Sequence, residues 1–135
     1  MTKKALATIS FMVAITICLA IASCKKDDAS NSSLIVGKWH RNTYIYWYNG
    51  YKDTSNFLAN DGLFEIYTSD GKNYNYYQFG SDTSNYVING NKIIFTQKNG
   101  TKDTGLIEIL TATNLKLHFQ WTPYDEHKIS IYTKQ

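Results

Sequence analysis

From Leu34 to the end of the chain, apolar and polar residues alternate in short runs separated by turn-forming residues. The clearest run sets Leu115, Leu117, Phe119 and Trp121 on one face and Lys116, His118, Gln120 and Thr122 on the other. A period of two with one apolar face marks a strand whose sheet is buried on one side. The longest run, Gly37 to Tyr48, is rich in aromatic and β-branched residues and has no proline, which suits a long strand. Leu63 to Thr68 alternates around Phe64 and Ile66, and Ser69-Asp70-Gly71 then supplies a turn. Asn73 to Phe79 is tyrosine-rich, and its alternation slips between Tyr76 and Tyr77 as a β-bulge requires. Gly80 to Thr83 reads as a loop and Ser84 to Ile88 as a short strand closed by the hairpin signal Asn89-Gly90-Asn91. Lys92 to Gln97, Thr104 to Leu110 and His127 to Tyr132 complete the set, with Lys52 to Asp61 left as one long connection. No segment of this region has helical periodicity. The pattern predicts an all-β chain, an eight-stranded antiparallel up-and-down meander. Closed on itself it makes a small β-barrel, and a two-sheet sandwich is the competing arrangement.

The first thirty residues follow a different pattern. Lys3 and Lys4 precede an uncharged apolar run, Ala5 to Ala22, which ends in Ile21-Ala22-Ser23-Cys24. Basic start, apolar core and small-residue end are the order of an export signal. The last four residues resemble the lipobox of bacterial lipoprotein signal peptides. That resemblance implies a signal peptide over 1–23, removal of the leader and lipid chains on Cys24, and two or more acyl chains anchor stably to a membrane. Residues 24–33, with Lys25 to Ser33 small and polar, then form a flexible tether, and 34–135 a single domain. Lys26-Asp27-Asp28 is similar to the export signals that carry Bacteroidota lipoproteins to the cell surface. The implied location is the outer membrane, by lipid anchor, with surface exposure.

Charge and cysteine content narrow the chemistry. The formal net charge of +3 falls to +1 once Lys3 and Lys4 leave with the leader, so nucleic acid is not an expected partner. Cys18 lies within the apolar run and Cys24 is the lipidation site that the resemblance implies, so the domain is expected to have no thiol for a disulfide, a metal or a nucleophile. The three histidines, His40, His118 and His127, lack a metal-ligand spacing and read as surface residues. Asp53, Asp61, Asp70, Asp82 and Asp103 fall beside Gly, Ser, Thr or Asn in predicted loops, where they favour turns. No catalytic elbow, phosphate loop or cofactor motif is present in the sequence, so the expectation is a non-enzymatic protein without a metal or cofactor.

The first strand carries a second resemblance. Leu34-x-x-Gly37-Lys38-Trp39 at the head of a meander, followed by Tyr86-Val87-Ile88-Asn89-Gly90-Asn91-Lys92-Ile93 and Leu110-Thr111-x-Thr113-x-Leu115-x-Leu117, is similar to the lipocalin-like (calycin) lipoproteins of Bacteroidota. The resemblance implies that Trp39 plugs a closed barrel end, with a basic residue of the last strand lying over it. The sole arginine, Arg41, stands elsewhere, which leaves Lys128 or Lys134 for that place. It also implies a small apolar or amphipathic ligand in a cavity lined by Trp39, Phe64, Ile66, Tyr86, Phe95, Ile107, Leu117, Phe119 and Trp121. Strict alternation from an inward Trp39 sends Tyr44, Tyr46 and Tyr48 outward, with Tyr51 beyond, as a platform for a glycan or protein partner. A bulge within the strand would instead turn those three tyrosines into the cavity. A structural or inhibitor-like envelope protein is a third reading.

Overall fold

The structure is a computed structural model that describes residues 26–121 and 125–135. The leader, Cys24 and residues 122–124 lie outside the described residues. A helix, α1 (Lys26–Ile35), precedes nine strands: β1 (Gly37–Tyr48), β2 (Tyr51–Asn56), β3 (Phe64–Tyr67), β4 (Lys72–Tyr77), β5 (Gly80–Asn89), β6 (Lys92–Thr96), β7 (Lys102–Leu110), β8 (Asn114–Trp121) and β9 (Glu126–Lys134). All pairings are antiparallel, in the order β2-β1-β3-β4-β5-β6-β7-β8-β9, and β1 pairs again with β9. The sheet therefore closes into an eight-stranded barrel, which removes the sheet edges that an open meander would leave. The sandwich arrangement is excluded by the β1–β9 ladder.

The ninth strand is an addition to this barrel. β3 pairs with β1 over Gly37 to His40, and β2 pairs with β1 over Thr43 to Tyr48, so both lie along one edge of β1. Residues 57–63 loop out between them and return to the same place, since Phe57 donates to the Asn42 carbonyl and Arg41 to the Leu63 carbonyl. The predicted long connection thus contains a strand. Its residues, YKDTSN, are poor strand formers, and all but one are exposed. What builds β2 is the turn before it: Asn49 and Gly50 both have positive φ, 48° and 80°, as a type I′ hairpin requires. β5 likewise starts earlier than expected, at Gly80, because Gln78-Phe79 turn tightly and Lys72 to Tyr77 pair without a break with Gly80 to Asn85. No bulge separates Tyr76 from Tyr77. The bulges fall instead at Asn42 in β1 and Glu108 in β7.

The closed end of the barrel holds the largest fully buried side chains, Trp39, Tyr67 and Tyr132, with Ile35, Ile93, Leu115 and Leu117. Composition predicts an irregular tether over the residues that form α1, yet the helix ends on this base. The last carbonyls of a helix have no partners inside it. Here the Trp39 indole donates to the Ile35 carbonyl at 2.6 Å, and Lys134 Nζ to the Leu34 carbonyl at 3.0 Å. The same Lys134 ammonium stands 5.0 Å from the centre of the Trp39 ring, a cation–π contact in a partly buried place. Lys134 rather than Lys128 therefore fills the position over the tryptophan. Gly37 makes this possible: its φ is +139°, and a Cβ there would lie 2.6 Å from Lys134 Cε.

Gly37→Ala combines backbone strain with displacement of Lys134, so a loss of about 1–3 kcal/mol is expected. Urea denaturation should show the midpoint falling while the slope stays unchanged.

Candidate functional site

Above the base the barrel encloses a cavity of about 240 Å³. The bulge at Asn42 decides what lines its β1 side. Trp39 and Arg41 point inward; β9 then pairs from Arg41 directly to Thr43, and the next inward side chain is Tyr44. Tyr46 and Tyr48 follow on the same side of β1, their rings stacked with centroids 6.5 Å apart and planes 3° apart. Trp47 is left outside, edge-on to His127 with Lys52 above it. The outward row of three tyrosines expected from strict alternation is therefore absent. Tyr51 sits at the hairpin tip, 67% exposed, as the direct cross-strand partner of Tyr48.

Asn42 sits where β1 changes partner from β3 to β2. Buried His40 fastens this junction, its Nδ1 bonded to Asn42 Oδ1 at 2.8 Å and its Nε2 to the Leu58 carbonyl at 2.9 Å. It is not a surface histidine. Its ring ties the excursion of residues 57–63 to the barrel wall.

One wall of the cavity is aromatic: Phe95, Phe119 and Trp121, with Leu117 below. Phe119 and Trp121 lie nearly parallel, 13° between planes and 5.7 Å between centroids. Gly105, opposite Phe119 in the β7–β8 ladder, makes room for that ring, because a Cβ there would come within 2.7 Å of it. The rest of the lining is polar, with Arg41, Tyr44, Glu65, Asn73, Asn75, Asp82, Ser84, Gln97, Asp103, Lys128, Ser130 and Tyr132.

Glu65 organises the cavity floor. Its Oε1 accepts from Arg41 Nη2 at 2.8 Å and from the Tyr132 hydroxyl at 2.6 Å; its Oε2 accepts from the Tyr67 hydroxyl at 2.6 Å and from Asn73 Nδ2 at 3.2 Å. Four donors fill a carboxylate's acceptor sites. Arg41 Nη2 also donates to Asn75 Oδ1 at 3.3 Å, while its buried Nε has no acceptor. Burial, reinforced by the Glu65 carboxylate, pushes the Tyr67 and Tyr132 phenols well above their ordinary range.

Of the residues expected to line a cavity, Phe95, Leu117, Phe119 and Trp121 meet there. Trp39, Tyr86 and Ile107 belong to the apolar core beneath it. Phe64 and Ile66 take the opposite face to the one expected, because Glu65 and Tyr67 are the buried residues of β3. On the outer wall Phe64 stacks on Tyr76, and the Lys38 ammonium lies 4.2 Å from the centre of the Phe64 ring. The polar floor was missed for the same reason: alternation gives two faces without saying which is inside.

The outer wall also brings together residues that are scattered in sequence. His118 Nδ1 lies 2.9 Å from Glu108, His118 Nε2 lies 3.0 Å from His127 Nδ1, and His127 Nε2 lies 3.0 Å from Asp125. The ring centroids are 5.3 Å apart, so the two facing nitrogens point head-on, a geometry for one shared proton rather than for converging on a metal. Among the described residues no group of three or more His, Cys, Asp or Glu is placed to hold a metal ion. No helix among them is long and apolar enough to cross a membrane.

No protein-family model matches the chain, and no curated protein matches it in sequence. The closed eight-stranded antiparallel barrel is consistent with a lipocalin-like fold.

Two outcomes are expected at the floor. Glu65→Leu leaves the Arg41 charge buried without its partner and should cost about 3–5 kcal/mol in urea denaturation. For the tyrosines, a folded pKa above the unfolded one means that the folded state keeps protons the unfolded chain has lost. Their contribution to stability is complete below about pH 10 and declines as pH rises past it. An alkaline titration followed by absorbance should show two phenols that ionise only as the barrel unfolds, and one fewer in Tyr132→Phe.

Proposed function

We propose that this chain is a lipid-anchored, non-catalytic binding protein of the cell envelope that holds a small amphipathic ligand inside its barrel. The observation that carries this reading is the cavity: about 240 Å³, with an aromatic wall on one side and polar side chains on the other. Ligand sites for drug-sized molecules span about 300–1,000 Å³, so a smaller molecule is the better fit, and a long acyl chain is a poor one. A ligand with a polar group and a compact apolar part matches both surfaces.

The anchoring part of the proposal rests on the leader and on the small residues before Cys24. The outer membrane, with exposure at the cell surface, is the proposed location. It draws on the resemblance of Ile21-Ala22-Ser23-Cys24 to a lipobox and of Lys26-Asp27-Asp28 to surface-export signals.

Native mass spectrometry of protein purified from its host should detect a co-purifying molecule of low mass. That molecule should be lost when Ser130, a small buried residue of the cavity lining, is replaced in Ser130→Phe. Empty protein throughout, with no small-molecule uptake from a metabolite extract, refutes the binding reading. Separately, fed palmitate should label the wild-type chain, whereas Cys24→Ala should stay unlabelled and leave the membrane fraction.

A further inference from the structure

The charges around the cavity do not cancel. Arg41 is paired with Glu65 at 2.8 Å, and Lys128 with Glu126 at 3.5 Å. Two further carboxylates line the cavity, Asp103 half-buried and Asp82 at its exposed edge. Neither has a hydrogen bond or an ion pair from any described residue. The five charged side chains of the lining sum to one negative charge, or two when Glu126 beside Lys128 is counted, and the Lys128 ammonium itself rests 4.4 Å from the centre of the Trp121 ring. Walls of low dielectric strengthen such a charge's attraction for a counter-ion.

The surroundings of Asp103 specify what kind of counter-ion fits. Across the β6–β7 ladder it is the direct partner of Phe95. Two residues along β7 lies Gly105, over which the Phe119 ring rests, and Phe119 stacks on Trp121. A carboxylate beside aromatic faces recognises an organic cation, because the ring faces attract positive charge and cover apolar surface together. A simple metal ion would use neither ring.

We infer that the ligand of this cavity is a small organic cation, a protonated amine carrying a compact apolar ring or short chain. Asp103 holds the ammonium, Asp82 adds attraction at the edge, and Phe95, Phe119 and Trp121 cover the apolar part. This rests on the proposed binding role and makes it specific. It also distinguishes the cavity from one lined by apolar side chains alone, which would take neutral or anionic amphiphiles equally well.

Isothermal titration of the full chain in a non-ionic detergent can test it with three compounds of one shape: 2-phenylethylamine, 2-phenylethanol and phenylacetate. The amine should bind at least about tenfold tighter than the alcohol, and the acid weakest of all. Added salt should weaken the amine and leave the alcohol unchanged. Asp103→Asn should lose about tenfold or more in amine affinity, and Asp82→Asn less, with thermal unfolding unaltered and alcohol affinity changed far less than amine affinity. Equal or tighter binding of the alcohol or the acid overturns the cation assignment while the cavity stands as a binding site. A neutral or anionic co-purifying molecule in native mass spectrometry has the same effect. Binding of none of the three compounds also overturns the cation assignment, and the search for a co-purifying molecule then decides independently whether the cavity binds anything.

Discussion

One residue left out of a ladder decides which side chains face the interior of this barrel. β1 must bury Trp39 at the base, contribute Arg41 to the floor and then line the cavity above it. Strict alternation would have carried Trp47 into the barrel and Tyr44 out of it. Skipping Asn42 in the β1–β9 pairing reverses that order. The same residue marks where β1 exchanges β3 for β2, and its backbone and amide serve Phe57, His40 and Thr133 at that junction. A bulge placed there costs little, because the ladder on the other edge is interrupted at the same level.

The second constraint is the charged layer between core and cavity. A buried carboxylate and guanidinium are expensive to desolvate, and their mutual attraction alone does not repay the cost. Glu65 is tolerable because four donors surround it, two of them tyrosine hydroxyls that also close the apolar core from above. The layer thus belongs to both halves of the molecule. Below it, Trp39, Leu115 and Ile93 pack as an ordinary core; above it, polar and aromatic side chains line the cavity.

Much of this was legible in the residues. The alternation of Leu115 to Trp121 identified β8 and its inward face, and Gly37-x-Trp39 identified the strand that plugs the base. The closing β1–β9 ladder agrees with the barrel the meander implied. Other features were hidden for identifiable reasons. β2 is polar and exposed, and only the Asn49-Gly50 turn announced it. α1 has the composition of a linker and is held by Trp39 and Lys134, partners supplied from elsewhere in the chain. In β3 and β4 the aromatic residues Phe64 and Tyr76 pack on the outside while Glu65, Asn73 and Asn75 face in, the reverse of what hydrophobicity suggests. The sequence pattern carries the period but not its phase, and here a buried ion pair set the phase.

The docking of α1 also gives the barrel a direction. The helix begins two residues after Cys24 in the sequence and ends against the plugged base, so a lipid on Cys24, as proposed, would be tied closely to that end of the domain. A chain anchored through Cys24 would stand base-down on the bilayer, with the β1–β2 and β4–β5 hairpin tips, and exposed Tyr51 and Phe79, farthest from the lipid. Its ligand would then enter from the aqueous side instead of sliding in from the membrane. For a polar cavity that would be the productive approach, and the proposed anchor would then aim the mouth as well as retain the protein.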